Sequence, residues 1–182
     1  MKGLLIGNRI PREYFITQGT GESDITIHAG SYHLALKKAG IEKANIMTYS
    51  SILPAIATEI PRPDNFVHGE VMETIMAAAH GEAGTQVTAG IIFGWLYNRK
   101  TGEKYGGLVC EHNGSYPETE IELLLNSSLQ ELYINGFQED YELKEKKLII
   151  ESFIPHKTHG TALVALCFTN YIYPVISENI DL

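Results

Sequence analysis

Asn45-Ile46-Met47-Thr48-Tyr49-Ser50-Ser51-Ile52-Leu53-Pro54 is the stretch on which the reading of this chain turns. A run rich in strand formers meets two serines, and Pro54, three residues past the second, stops further sheet pairing or helix. Two small hydroxyl residues at such a bend ordinarily do no more than tolerate turn geometry. Working outward, residues 14–18 (Tyr-Phe-Ile-Thr-Gln) read as a strand, and Gly19-Thr20-Gly21-Glu22-Ser23 as a glycine-rich loop after it. That loop lacks both the G-x-x-x-x-G-K-[ST] and G-x-G-x-x-G patterns, so a nucleotide cradle is not indicated. Residues 31–38 have helical spacing, with Tyr32, Leu36 and Ala39 on one side and Gly40 as a cap.

Downstream of the serines, residues 55–67 carry Pro61 and Pro63 and read as a surface loop. Residues 71–79, 86–97 and 105–111 read as strands separated by turns at 81–84 and 98–102. Ser115 and Glu118 predict a capping box with Pro117 in the first turn of a helix. Ile121, Leu124, Leu125, Leu129 and Leu132 share one face of it, and Gly136 stops it. Residues 147–153 and 161–170 predict two closing strands, joined through residues 156–160. Two helices, each packed on one face of mostly antiparallel sheet, define an α+β fold with helix layers on stacked sheets.

The chain has 182 residues, enough for one domain or two halves sharing a core. Its two cysteines, Cys110 and Cys167, lie in apolar runs and predict reduced thiols in a cytoplasmic protein. No apolar run reaches the roughly 18 residues of a membrane span, and residues 1–7 are too brief for a signal-peptide core. A formal charge of −8 without a basic cluster argues against nucleic acid or an anionic membrane as partner and suits a cationic small molecule. The pairs His28/His33 and His156/His159 lack a Cys or acidic partner at ligand spacing, so no metal site is expected.

Gly21-Glu22-Ser23, Ala39-Gly40-Ile41, the Ser50-Ser51 pair and Gly106-Gly107-Leu108-Val109-Cys110-Glu111 together resemble the pyruvoyl-dependent arginine decarboxylases, over residues 15–168. The resemblance implies a four-layer α/β/β/α sandwich built from a duplicated strand-helix-strand-strand unit. It implies a single domain over residues 1–182, self-cleaved between Ser50 and Ser51 into a β chain (1–50) and an α chain (51–182). Trimers, or dimers of trimers, with sites between neighbouring protomers are also implied.

In that chemistry Ser51 Oγ attacks the Ser50 carbonyl, turning the amide into an ester. Elimination and loss of ammonia then leave a pyruvoyl group derived from Ser51. A serine hydroxyl is a weak nucleophile at neutral pH, so the fold must supply proximity, a proton acceptor and an oxyanion site. Asn45 matches the family's asparagine associated with cleavage, and its amide is a candidate donor to the oxyanion. The pyruvoyl ketone forms a Schiff base with the substrate amine and serves as electron sink when carbon dioxide leaves, in place of pyridoxal phosphate. Glu111 matches the family's catalytic glutamate, the proton donor to the carbanion. Its apolar neighbours would raise its proton affinity if it is buried.

The implied reaction is arginine to agmatine plus carbon dioxide, a step of polyamine biosynthesis. A guanidinium is best held by a carboxylate fork. His33 stands where the family has a substrate-contacting aspartate, and an imidazole cannot take that role. Asp24, Glu22 and Glu73 are the candidate replacements. The alternatives are a decarboxylase of another amino acid, or a non-catalytic oligomeric relative that binds a small amine or a protein partner.

Overall fold

A computed structural model of the chain describes residues 2–25 and 28–181, without the side chains of residues 2, 3, 28 and 178–181. Two helices, α1 (His28–Ala39) and α2 (Glu118–Gly136), accompany strands that fall into three sheets. The first sheet has the order β3 (Asn45–Thr48), β6 (Val71–Glu82), β10 (His159–Ile172), β2 (Ile10–Ser23), β5 (Thr58–Glu59). The second runs β4 (Ile52–Pro54), β8 (Lys104–Gly114), β7 (Val87–Asn98), β9 (Tyr141–Phe153). A terminal ribbon pairs β1 (Lys2–Ile6) with β11 (Val175–Asp181). Only β2/β5 and β3/β6 are parallel among the described pairs.

The two larger sheets face each other, α1 covers the outside of the first and α2 the outside of the second. The α/β/β/α sandwich therefore stands as expected. The strand-helix-strand-strand order is met by consecutive elements in β8–α2–β9–β10, whereas β2–α1–β3 reaches β6 only after the short strands β4 and β5. The halves interleave, because β10 inserts between β6 and β2.

Side-chain alternation explains the layers. On β7, Val87, Ala89, Ile91, Phe93 and Trp95 point between the sheets, whereas Ile92 and Leu96 point at α2. β10 divides likewise, with Val164, Leu166 and Phe168 between the sheets and Leu163, Ala165 and Cys167 under α1. A strand covered on both faces is apolar at nearly every position, which is why both runs lack polar alternation. Each fully buried Leu, Ile or Phe contributes roughly 1.5–3 kcal/mol, so these three interfaces hold the fold.

Three local expectations are corrected. Gly19 to Ser23 is not a loop but the end of β2, lying directly beneath α1. A methyl at Gly21 would collide with the Ser31 carbonyl and the Ala35 amide, and one at Gly19 with the Ala35 carbonyl. These glycines admit the helix rather than break the strand. Pro117, not Ser115, is the N-cap of α2 and no side chain caps it; Glu118 and Glu120 in the first turn complement the helix dipole instead. Of the apolar face read on α2, Ile121, Leu125 and Leu129 are buried, while Leu124 and Leu132 are 37% and 47% exposed. β2 starts at Ile10, four residues before the strand read at 14–18, and β1 precedes it.

Candidate functional site

The serine pair is the crossover between the two sheets. β3 lies parallel to β6 at one edge of the first sheet, and Tyr49 prolongs that pairing by donating its N–H to Thr74 O (2.7 Å). Three residues later the chain enters β4 at the edge of the second sheet, with Ile52 opposite Leu108 and Leu53 opposite Gly107. Pro54 ends β4, as a residue without an N–H must at a sheet edge.

Between the strands the backbone makes a tight turn centred on Ser51. Ile52 N–H donates to Ser50 O (2.9 Å), and Val109 N–H holds Ser51 O (3.1 Å). The Ser51 hydroxyl donates to Glu111, with both carboxylate oxygens 2.7 Å from Oγ. Glu111 comes from β8, whose pairing with β4 brings the two together across 60 residues of sequence. A carboxylate on the hydroxyl and an N–H on the carbonyl are the two aids an attack of Ser51 Oγ on Ser50 requires.

An open cavity of about 610 Å³ lies against this pair. Its floor is apolar (Ile52, Leu108, Val109, Leu132, Phe137), and α2 adds Ser128 and Glu131. Glu111 is exposed and not enclosed by its apolar neighbours. Cys110, by contrast, is buried, and that burial, followed by the charge of Glu111, pushes its thiol up to about 11. It stays protonated at neutral pH and is no nucleophile there. Cys167 is a buried free thiol as well, raised by burial alone.

The other sequence candidates lie elsewhere in the chain. Asn45 is at the far end of β3, about 10 Å from Thr48 at strand rise, and its Nδ2 donates to Gly69 O (2.9 Å). Asp24 Oδ1 accepts from Thr158 N (2.9 Å) and Thr158 Oγ1 (3.2 Å), and the Thr158 N–H bond first of all holds its carboxyl below the usual range. Glu22 receives the amides of His156 and Lys157, so the two acids together pin the loop before β10. Glu73 is buried at 3% exposure and is forked by Arg9, which also reaches Tyr49 OH (3.4 Å) and lies over the Tyr171 ring. His33 is on the exposed face of α1, over the first sheet. The single chain thus joins Ser50, Ser51 and Glu111 and leaves Asn45, Asp24, His33 and Glu73 apart from them.

Glu131 and Ser128 were not read as site residues. Their three-residue helical spacing places them on one stripe of α2, but only the β4–β8 pairing shows that the stripe borders the serines. Among the described residues no three His, Cys, Asp or Glu side chains converge as a metal site, and no helix is long and apolar enough to cross a membrane.

The fold and this pair define a four-layer sandwich that presents a serine hydroxyl to a carboxylate at a turn between sheets. The chain belongs to the pyruvoyl-dependent arginine decarboxylase family, whose model matches residues 13–173. It is 32% identical to the pyruvoyl-dependent arginine decarboxylase AaxB of Chlamydia abortus, over 91% of this chain and 94% of that protein. Its identity to the AaxB of Chlamydia trachomatis serovar L2 is 33% over the same shares. A pyruvoyl-dependent arginine decarboxylase of Methanocella arvoryzae is 32% identical over 61% of this chain and 66% of that protein.

Proposed function

We propose that this protein is a self-processing, pyruvoyl-dependent amino-acid decarboxylase whose substrate is arginine, released as agmatine and carbon dioxide. The observation that carries the reading is the Ser51 Oγ–Glu111 contact at 2.7 Å. In processing, Glu111 takes the Ser51 hydroxyl proton while Oγ adds to the Ser50 carbonyl carbon. The Ile52 N–H, already on Ser50 O, stabilises the oxyanion. Collapse, with that proton passed from Glu111 to the Ser51 nitrogen, breaks the Ser50–Ser51 C–N bond and gives the ester and a free amine at residue 51. Loss of the Ser51 α-proton then expels Oγ as part of a new Ser50 carboxylate. The dehydroalanine left at residue 51 tautomerises to an imine, and water replaces its nitrogen, which leaves as ammonia.

The residues around position 51 fit a small planar acyl group. The Val109 N–H fixes the residue-51 carbonyl, and the cavity opens directly beside it. A pyruvoyl group there supplies an electrophilic carbonyl for the substrate amine and a sink for the electron pair that carbon dioxide leaves behind. Glu111, no longer bound to a hydroxyl after processing, is placed to hold the proton that returns to the substrate carbon. Ile52 and Leu132 expose apolar surface at the cavity, which favours a homo-oligomer, a trimer or dimer of trimers in this reading. Asn45 and His33 would then serve a neighbouring protomer's serine pair.

His33 favours a second reading, decarboxylation of an amino acid other than arginine. A panel of amino acids, with carbon dioxide release followed on processed protein, decides between the two. Release from arginine supports the first. Release from another amino acid and none from arginine refutes the substrate and leaves the chemistry. Release from no amino acid, with the chain intact, favours a non-catalytic relative. Ser51→Ala is expected to abolish both cleavage and release.

A further inference from the structure

We infer that Glu131 is the carboxylate that receives the cationic end of the substrate side chain, which makes it a specificity-determining residue. The inference rests on the reading of Ser51 and Glu111 as the reacting centre. A side-chain cation brought out of water onto an apolar floor needs a carboxylate partner. The acids read from sequence are already engaged: Glu73 is forked by Arg9, Asp24 holds Thr158, and Glu22 holds the His156 and Lys157 amides. Glu111 belongs to the Ser51 hydroxyl.

Glu131 is the remaining acid of the cavity. It projects from α2, is exposed, and has no hydrogen bond or ion pair with any described residue. No lysine or arginine lines the cavity, so its field is negative and attracts a cation. The dimensions agree. Six bonds separate the α-nitrogen from the guanidinium carbon of arginine, about 7 Å when extended. A cavity of 610 Å³ is about 10 Å across if round, within the range of small-molecule sites. The α-amine at residue 51 and the guanidinium at Glu131 then leave the methylenes over Leu108, Leu132 and Phe137. The ligand class is an α-amino acid with a flexible aliphatic side chain ending in a cation.

The test is steady-state decarboxylation by processed wild-type, Glu131→Gln and Glu131→Asp proteins, with fragment formation measured in parallel. Glu131→Gln is isosteric and exposed, so the chain is expected to fold and to be cut at the wild-type rate. The expected result is a KM for arginine raised about 10- to 100-fold, the scale of a lost charge-assisted pair, with kcat within about threefold. Glu131→Asp should recover part of the loss, and citrulline, neutral at that end, should be handled equally by wild-type and Gln proteins. An unchanged KM in an active Gln variant overturns the role of Glu131 and leaves the decarboxylase reading intact. A fall in kcat alone also overturns it. A wild-type protein that neither cleaves nor releases carbon dioxide refutes the underlying reading and this inference with it.

Discussion

Replacing Glu111 by Gln tests the serine–carboxylate contact directly. Both Glu111 oxygens lie 2.7 Å from Ser51 Oγ, so the amide oxygen can still accept the hydroxyl and keep it in place. What disappears is basicity, because an amide does not take up a proton near neutral pH. The expected consequence is cleavage slowed by about 10²- to 10⁴-fold, the range for general base catalysis. Glu111 is exposed, so the substitution leaves no buried charge unpaired, and stability should change by no more than about 0.5 kcal/mol. The assay is a time course on freshly refolded chain, quenched in denaturant, with intact protein and the 1–50 and 51–182 fragments resolved by gel. Turnover of whatever fraction does become cut should fall as well, if the same carboxyl returns the proton to the substrate. Cleavage within about threefold of wild type would remove Glu111 from processing and reduce the contact to packing.

Two other outcomes follow from the geometry. Gly21→Ala drives a methyl into the backbone of α1 at Ser31 and Ala35, atoms that cannot rotate away; a loss of roughly 1–3 kcal/mol is expected, read as a Tm lowered by about 2–4 °C per kcal/mol, and an unchanged Tm would refute the close packing. Asp24 has a depressed carboxyl in the fold, so its hold on Thr158 is fully present above the unfolded-state value and is lost as pH falls through the folded one. The Thr158 amide resonance should therefore titrate with a midpoint below the ordinary aspartate range, and a midpoint above it would contradict the contact.

Much of this fold is legible in residue order. The 3.6-residue spacing of Ile121, Leu125 and Leu129 marks α2, and the doubly covered β7 and β10 show as unbroken apolar runs. The adjacency of Ser51 and Glu111 is carried by family pattern, not by spacing, since 60 residues and a change of sheet separate them. What could not be read is long-range engagement. Nothing near Asp24 in sequence announces that Thr158 occupies it, nor near Glu73 that Arg9 does. Gly19 and Gly21 misled for a related reason. Glycine marks both a loop and the close approach of a helix, and only the position of α1 distinguishes them.

The claim that matters most is that residue 51 ceases to be a serine. Denaturing mass spectrometry of the purified, incubated protein tests it in one measurement. Two chains are expected, residues 1–50 ending in a free Ser50 carboxylate and residues 51–182 beginning with a pyruvoyl group, one that resists amine-reactive labelling. A single intact chain after prolonged incubation, or a 51–182 fragment bearing a free amino-terminal serine, would contradict it.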